Sequence, residues 1–430
     1  MTFLKKISPS RFIVLGFAFV ILLGALILFF PFAANEGVHV DFIDALFTST
    51  SAVCVTGLIA IDTADNFNAL GQGIVALLIQ IGGLGVTSVG VGFILLARGK
   101  VSFKDRILVK EALNLDSMKG IVKLVKSVLF FTLCFETIGA ILSFLVFSQD
   151  YPASKAAWLS IFHSIASFNN AGFDIIGGFK GLLDYQSDIL LNFTTAGLII
   201  FGGLGFFVIK EILHKHSFKR FSLHSKVVIT VTVFLLVTGT LLIKFTEDIS
   251  WLGAFFFSTS ARTAGFSTYT VGNFTDASLF VIILLMFIGA SPGSTGGGIK
   301  TTTAFTLFMR GYSVATNKQS QAFKRKIPQE VTSKAFILTL FATTVVFINT
   351  FLLCVLEPQY TFMQVLFEVV SAFGTVGLST GITPDLSVAS KLVLIGTMFI
   401  GRLGPLTMFT IWTVKPSANI SYSEESLTIG

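Results

Sequence analysis

Apolar residues dominate eight stretches of this chain, at 12–32, 73–97, 121–147, 188–213, 227–245, 278–310, 334–356 and 389–413. Each is long enough to cross a hydrocarbon layer of about 30 Å as a helix. The pattern predicts an all-α membrane protein with eight transmembrane helices. Between the first and second, third and fourth, fifth and sixth, and seventh and eighth stretches lies a shorter apolar segment. These segments read FIDALFTSTSAVCVTGL (42–58), SIFHSIASFNNAGF (160–173), GAFFFSTSARTAGF (253–266) and LFEVVSAFGTVGL (366–378). A dozen or so helical residues cannot span the layer, so all four are predicted to dip into the membrane and turn back.

The dipping segments repeat one another. Aligned on their last glycine, they place Gly57, Gly172, Gly265 and Gly377 in register, with Phe47, Phe162, Phe255 and Phe367 ten residues earlier. A second glycine register follows at Gly82, Gly202, Gly289 and Gly401, after 25, 30, 24 and 24 residues. The chain thus divides into four units of helix, dipping half-helix, loop and helix, over residues 1–110, 111–218, 219–320 and 321–430. The second unit is longer because of the outer loop DIIGGFKGLLDYQSD, 174–188.

Composition narrows the class. Charged residues make up 12% of the chain and hydrophobic residues 53%, with a mean hydropathy of +0.84; soluble domains carry about 25% charged residues, so an ordinary soluble enzyme is excluded. The net charge of +7 does not point to nucleic acid, because the basic residues lie in connectors rather than on one face. They form four groups: Lys5, Lys6 and Arg11; Arg98, Lys100, Lys104, Arg106 and Lys110; Lys215, Lys219, Arg220 and Lys226; Lys318, Lys324, Arg325, Lys326 and Lys334. With eight spans all four groups and both termini fall on one side, the cytoplasm by the positive-inside rule. The basic start resembles a signal peptide, but Phe32-Ala33-Ala34 is a poor cleavage site, and 12–32 is read as a span. Cys54, Cys134 and Cys354 sit singly in apolar stretches, where neither a disulfide nor a metal site is expected.

Irregular backbone at membrane depth is tolerated only where protein buries it or where it lines a watery cavity. Four such segments in one chain call for a shared cavity. Around a common axis they would turn carbonyl oxygens inward to replace the hydration shell of a cation. Glycine allows backbone angles that aim neighbouring carbonyls the same way without a clashing Cβ. Each half-helix would direct its negative C-terminal end to the centre, favouring cations. The candidate cation-binding residues are Val55, Thr56 and Gly57; Asn170, Ala171 and Gly172; Thr263, Ala264 and Gly265; and Thr375, Val376 and Gly377. One such glycine would be read as a packing turn between core helices; four in register argue for a filter, shorter than the TVGYG loops of potassium channels and unequal around its ring.

These loops resemble the Trk/Ktr/HKT potassium transporters, and over nearly the whole chain the Ktr-type membrane subunit of bacteria. Related Trk-type subunits carry extra N-terminal spans, whereas here the first repeat opens the sequence. The resemblance implies a potassium uptake pore in the bacterial plasma membrane, one per protomer of a homodimer. It also implies control by a cytoplasmic, octameric RCK-type ring that binds nucleotide, and sodium stimulation in some members. Potassium is the implied cargo and sodium a second candidate; no nucleotide is expected on this chain itself.

The third unit departs from its siblings in GASPGSTGGGIKTTT (289–303), where Pro292 and five glycines interrupt an expected helix. It is read as a flexible intramembrane loop over 289–300, with hydroxyls of Ser291, Ser294 and Thr295 facing the path and Gly293, Gly296, Gly297 and Gly298 providing freedom. The resemblance implies a gate here. Arg402 stands where the other units have Gly83, Gly203 and Ala290. Below the filter it would either repel permeant cations or hold the loop through hydrogen bonds to its carbonyls, and the resemblance implies a pore arginine in the last repeat. Gly289 to Gly293 also fits GxSxG, but none of the five histidines is obviously paired with Ser291, so an intramembrane hydrolase is disfavoured. A Walker A reading fails because Ile299 separates Gly298 from Lys300. A sodium-preferring or poorly selective cation channel stays open, and a transporter for an organic solute would require inverted repeats. Asp44 and Glu368 are placed near the starts of half-helices, and Glu136 and Arg262 are read as scaffold braces.

Overall fold

The computed structural model describes residues 9–86, 88–92, 106–107, 109–110, 120–404 and 407–408. Lys5, Lys6, Arg98, Lys100 and Lys104, with the far ends of the second and eighth expected spans, lie outside the described residues.

Four long helices match the first expected span of each unit: Pro9–Phe29, Ile121–Phe147, Leu223–Thr246 and Gln329–Leu356. Among the described residues these are the four continuous helices long and apolar enough to cross a membrane. They expose large apolar side chains, such as Phe19, Phe130, Phe234 and Phe347, each more than 60% accessible. A face of that kind suits hydrocarbon rather than water as its solvent. The dipping helices follow at Phe42–Cys54, Ala153–Phe168, Trp251–Ser260 and Phe362–Gly374. Of the phenylalanines in register on them, Phe47, Phe162 and Phe367 are buried at 0–1% exposure, and Phe255 is half-buried.

The second helix of each unit is where expectation needs correction. Continuous spans were expected at 73–97, 188–213 and 389–413, but the helices Ala69–Leu84, Ile189–Leu204 and Val388–Leu403 all stop at a glycine. Gly85, Gly205 and Gly404 have φ of 81°, 91° and 83°, angles that no α-helix contains. In the second unit the chain resumes as Phe206–Lys215, bent by 98° from the helix before it. In the third unit the helix Asp276–Phe287 gives way to the non-helical segment 288–300 before Thr301–Ala315 begins. Every inner helix therefore breaks after 12 to 16 residues.

Their starts obey one rule. Asn68, Asp188, Thr275 and Ser387 each cap an inner helix with a side-chain oxygen that accepts a backbone N–H. All four stand fourteen residues before the second-register glycine. Such a cap satisfies an otherwise orphaned donor and contributes about 1 kcal/mol.

Candidate functional site

Each dipping helix ends in the same backbone sequence. Val55, Asn170, Thr263 and Thr375 take left-handed φ of 57°, 59°, 74° and 49°, and the glycine two residues on is also positive, at 92°, 67°, 78° and 94°. Alternation of a left-handed residue, an ordinary one and another left-handed one turns successive carbonyls to one side of the loop, whereas an extended chain would alternate them. Non-glycine residues resist such angles, so surrounding contacts must impose them. Those contacts are visible: Thr56, Ala171 and Val376 donate their N–H to Ser51, Ala166 and Ser371 carbonyls at 2.8, 2.8 and 2.9 Å, and Ala264 donates to that of Ser260 at 2.9 Å. The Ser51 and Ser371 hydroxyls accept the N–H of Gly57 and Gly377 at 3.0 Å.

The four loops close into a ring. A Cβ added to Gly57 would sit 2.4 Å from the carbonyl oxygen of Ala171; one on Gly172, 2.7 Å from that of Ala264; one on Gly265, 2.2 Å from that of Val376; and one on Gly377, 2.2 Å from that of Thr56. Unit one thus meets unit two, two meets three, three meets four, and four returns to one. All twelve expected residues are buried or half-buried in this assembly. The hydroxyls of Thr56 and Thr375 lie buried with no hydrogen-bond partner.

Behind the ring, the second-register glycines bring the inner helices into backbone contact with the dipping helices. A Cβ on Gly82, Gly202 or Gly401 would fall 2.0 Å from the carbonyl oxygen of Val53, Phe168 or Phe373. Sequence reading missed a matching set on the long helices. Gly24, Gly139 and Gly239 give room to Ser49, Ser164 and Ser258, whose hydroxyls donate to the carbonyls of Ile21, Glu136 and Leu236 at 2.7, 2.7 and 2.9 Å. In all three pairs the accepting carbonyl lies three residues before the glycine, a register that alignment of the units could have found.

The 289–300 segment lies against the inner ends of these loops, and it is tied down. Its ends meet through Gly289 N–H to the Ile299 carbonyl at 2.9 Å. Ser291 and Thr295 donate their N–H to the Gly203 and Gly202 carbonyls at 3.0 and 3.2 Å, and the Gly293 carbonyl caps the bent helix by accepting the Phe206 N–H at 3.0 Å. A Cβ on Gly205 would lie 2.7 Å from the Pro292 oxygen, so the break in that inner helix and the loop occupy one place. The hydroxyls expected to face the path are engaged inside the protein. Ser294 donates to the Ser291 carbonyl at 2.6 Å, Thr295 to that of Phe168 at 3.2 Å, and Thr301 donates to the Ser291 hydroxyl at 3.1 Å. Gly296 and Gly297 press on the threonines that open two of the loops: added Cβ atoms would lie 2.1 Å from Thr263 Oγ1 and 2.3 Å from Thr375 Oγ1. Gly298 lies beside Gly289 and Gly374. Arg402 donates to the carbonyls of Thr295, Gly82 and Gly83, the last at 3.2 Å, so one guanidinium joins the third unit's loop to the first unit's inner helix.

Among the other charged residues, Glu368 falls differently from expectation. Asp44 does lie in the first turn of its dipping helix, where it pairs with Lys391 at 2.8 Å. Glu368 does not lie at a helix start; it sits midway along Phe362–Gly374, fully buried, and accepts from Ser379, Thr380 and Thr383, thereby fixing the chain beyond Gly377. Glu136 accepts from Gln80 and from Asn169, the residue before the second loop, at 3.3 and 3.0 Å. Arg262 is buried beside Thr263 in a small apolar recess with Ile200 and Leu236.

Comparison with known proteins agrees with this architecture. The potassium/sodium uptake protein NtpJ of Enterococcus hirae is 40% identical, with 99% of this chain and 98% of that protein aligned. The Ktr system potassium uptake protein B of Bacillus subtilis is 36% identical over 99% of this chain and 97% of its own length. The crystal structure of the potassium transporter TrkH from Vibrio parahaemolyticus superposes with a TM-score of 0.75 at 19% identity, covering 95% of this chain and 86% of that one. These are ion transporters, and this multi-pass membrane protein is not an enzyme. Residues 20–247 and 221–423 match the TrkH family, described as cation transport protein, and the chain belongs to that family.

Proposed function

We propose that this chain forms a potassium-selective uptake pore of the Ktr type in the bacterial plasma membrane. The single observation that carries the reading is the closed ring of glycine-to-carbonyl contacts running through all four units. Carbonyls of the twelve loop residues, 55–57, 170–172, 263–265 and 375–377, stand in for the water lost by the ion. The C-terminal ends of four dipping helices add negative potential at the same place. An inside-negative membrane supplies about 2.3 kcal/mol per charge per 100 mV, enough to accumulate the ion without further coupling.

In this reading residues 1–110, 111–218, 219–320 and 321–430 are four pseudo-symmetric units supplying eight crossings, with both termini cytoplasmic. Loop 289–300 and Arg402 form the gate; the packing of Gly296 on Thr263 and of Gly297 on Thr375 supports this reading. A cytoplasmic RCK-type ring binding nucleotide moves the gate, docking on the basic connectors. Phe218 and Phe323 pack edge to face at 6.0 Å, which brings two of the basic connectors together as one surface. Assembly as a homodimer and stimulation by sodium complete the proposal. A sodium-preferring pore is the second reading, favoured by the unequal residues around the ring.

Rubidium and sodium uptake into liposomes holding the purified chain tests the choice. Saturable rubidium entry resisting excess sodium is expected; equal entry of both ions would replace the first reading with the second.

A further inference from the structure

We infer that the Lys300 ammonium is a tethered occupant of a monovalent-cation site made by the main-chain carbonyls of Gly296 and Gly297, and that a permeating ion holds this site only once the ammonium has left it. The inference rests on the gate reading above and adds a residue and a site to it.

Lys300 Nζ donates to the Gly296 oxygen at 2.8 Å and to the Gly297 oxygen at 3.3 Å. Those two residues are the ones that press on Thr263 and Thr375, so their carbonyls belong to the backbone directly against the ring. Arg402 takes the carbonyl of Thr295, the residue before them. Three successive peptide oxygens are thus each met by a cationic donor. A cluster of peptide oxygens is also what receives a dehydrated cation. Among the described residues no carboxylate lies within ion-pair distance of Lys300, although an uncompensated lysine at membrane depth is costly. The backbone oxygens are what hold it.

The two cations differ in kind. A guanidinium is a planar fork suited to bridging fixed carbonyls, as Arg402 does between two units. An ammonium is a compact point charge with three donors on a flexible four-carbon stem. It bears the same single charge as a potassium ion, takes the same oxygen ligands, and can swing away without the loop unfolding. The anchor of that stem is fixed where the segment closes on itself, because the Ile299 carbonyl accepts the Gly289 N–H and Lys300 opens the following helix. A closed gate with a resident ammonium keeps its carbonyls satisfied; removal of the charge leaves a vacant site of the chemistry a monovalent ion needs.

The test uses the full-length chain in liposomes and in detergent. Lys300→Ala and Lys300→Met should each raise rubidium flux without a regulatory partner at least several-fold. Each should also bind one more rubidium ion per chain at equilibrium than the wild type. Ethylammonium, a detached copy of the lysine tip, should inhibit Lys300→Ala and leave the wild type unaffected. Folded variants, judged by elution and unfolding temperature, that bind no extra rubidium and ignore ethylammonium would overturn the inference. Should neither variant fold, the wild type decides: anomalous scattering from rubidium between the Gly296 and Gly297 oxygens, with Lys300 still bound there, overturns it. Rubidium confined to the ring supports it. Shortening of 289–298 separates the two ideas. Flux raised by the shorter loop but by neither Lys300 variant sinks this inference alone, whereas unchanged flux in the shortened chain removes the gate reading itself.

Discussion

Lys391 Nζ lies 2.8 Å from Asp44 Oδ1, an ion pair between residues 347 positions apart that closes the seam where the fourth unit meets the first. The first seam has a neutral counterpart at the same height. Trp158 Nε1 donates to Gln72 Oε1 at 2.8 Å, again from the dipping helix of one unit to the inner helix of its predecessor. The second seam is filled by Phe193 against Phe255, 5.8 Å apart. Three of the four seams thus carry a contact between a dipping helix and the preceding inner helix, each of different chemistry, and of these three contacts only the Lys391–Asp44 one is an ion pair.

That difference sets the first prediction. Lys391 and Asp44 retain 11% and 18% side-chain exposure, so loss of one partner leaves a mostly buried charge unpaired. Asp44→Asn or Lys391→Met should lower stability by about 2 kcal/mol, below the full cost of a dry buried pair because water still reaches both. Joint replacement, Asp44→Asn with Lys391→Met, should recover most of the loss. A double-mutant cycle on thermal unfolding in detergent checks this, and purely additive losses would show that the pair does not couple.

Gly265→Ser and Gly377→Ser should impair discrimination between potassium and sodium. Each adds a Cβ 2.2 Å from a carbonyl oxygen of the next loop, at φ of 78° and 94°. The serine forces the ring open or the neighbouring carbonyl away from its inward direction. A loss of about 1.4 kcal/mol in differential binding is tenfold in selectivity. Competition of sodium against rubidium uptake measures it, and discrimination equal to wild type in both variants would contradict the ring's assignment as the filter.

The glycine register was legible because a backbone that needs positive φ selects a residue type, and residue types align. The N-caps Asn68, Asp188, Thr275 and Ser387 were equally legible at their fixed offset, but polar residues at span edges read as ordinary boundaries. The breaks at Gly85, Gly205 and Gly404 were hidden, since a Leu-Gly pair inside an apolar run suits a packed helix as well as a broken one. The role of Glu368 was misjudged because a helix start within an apolar segment has no hydropathy signature; its capping box, Thr361 with Gln364, would have placed that start. Pairing of Asp44 with Lys391 obeys no local rule and emerges only from ring closure.

Asp174 gives a pH prediction. Half-buried two residues beyond Gly172, its carboxyl is pushed up from 3.8 to about 6, chiefly by burial and further by the charges of Asp62 and Asp65. The folded protein keeps this proton between pH 3.8 and about 6, where the unfolded chain has released it. The stability it contributes is full below the lower value and is lost as pH rises through the upper one. Ionisation adds negative charge to the outer loop, so apparent affinity for rubidium should improve as external pH rises through about 6. Asp174→Asn should flatten that profile, and an unaltered pH profile in the variant would assign the effect elsewhere.

Arg402 decides between two ways of closing a pore. A cation that works by repulsion is replaceable by any cation, so Arg402→Lys would keep uptake low. A cation that works as a brace must reach the Thr295 carbonyl on one side and those of Gly82 and Gly83 on the other, as the guanidinium fork does here. An ammonium cannot span both, because its donors radiate from one atom. A hydrogen bond from a charged group contributes about 1.5 to 3 kcal/mol, so loss of one should raise the open population roughly tenfold or more. Arg402→Lys is therefore expected to raise rubidium flux nearly as far as Arg402→Ala, in liposomes without a partner. Wild-type flux in Arg402→Lys with raised flux in Arg402→Ala would favour repulsion, and the three hydrogen bonds would then be incidental to closure.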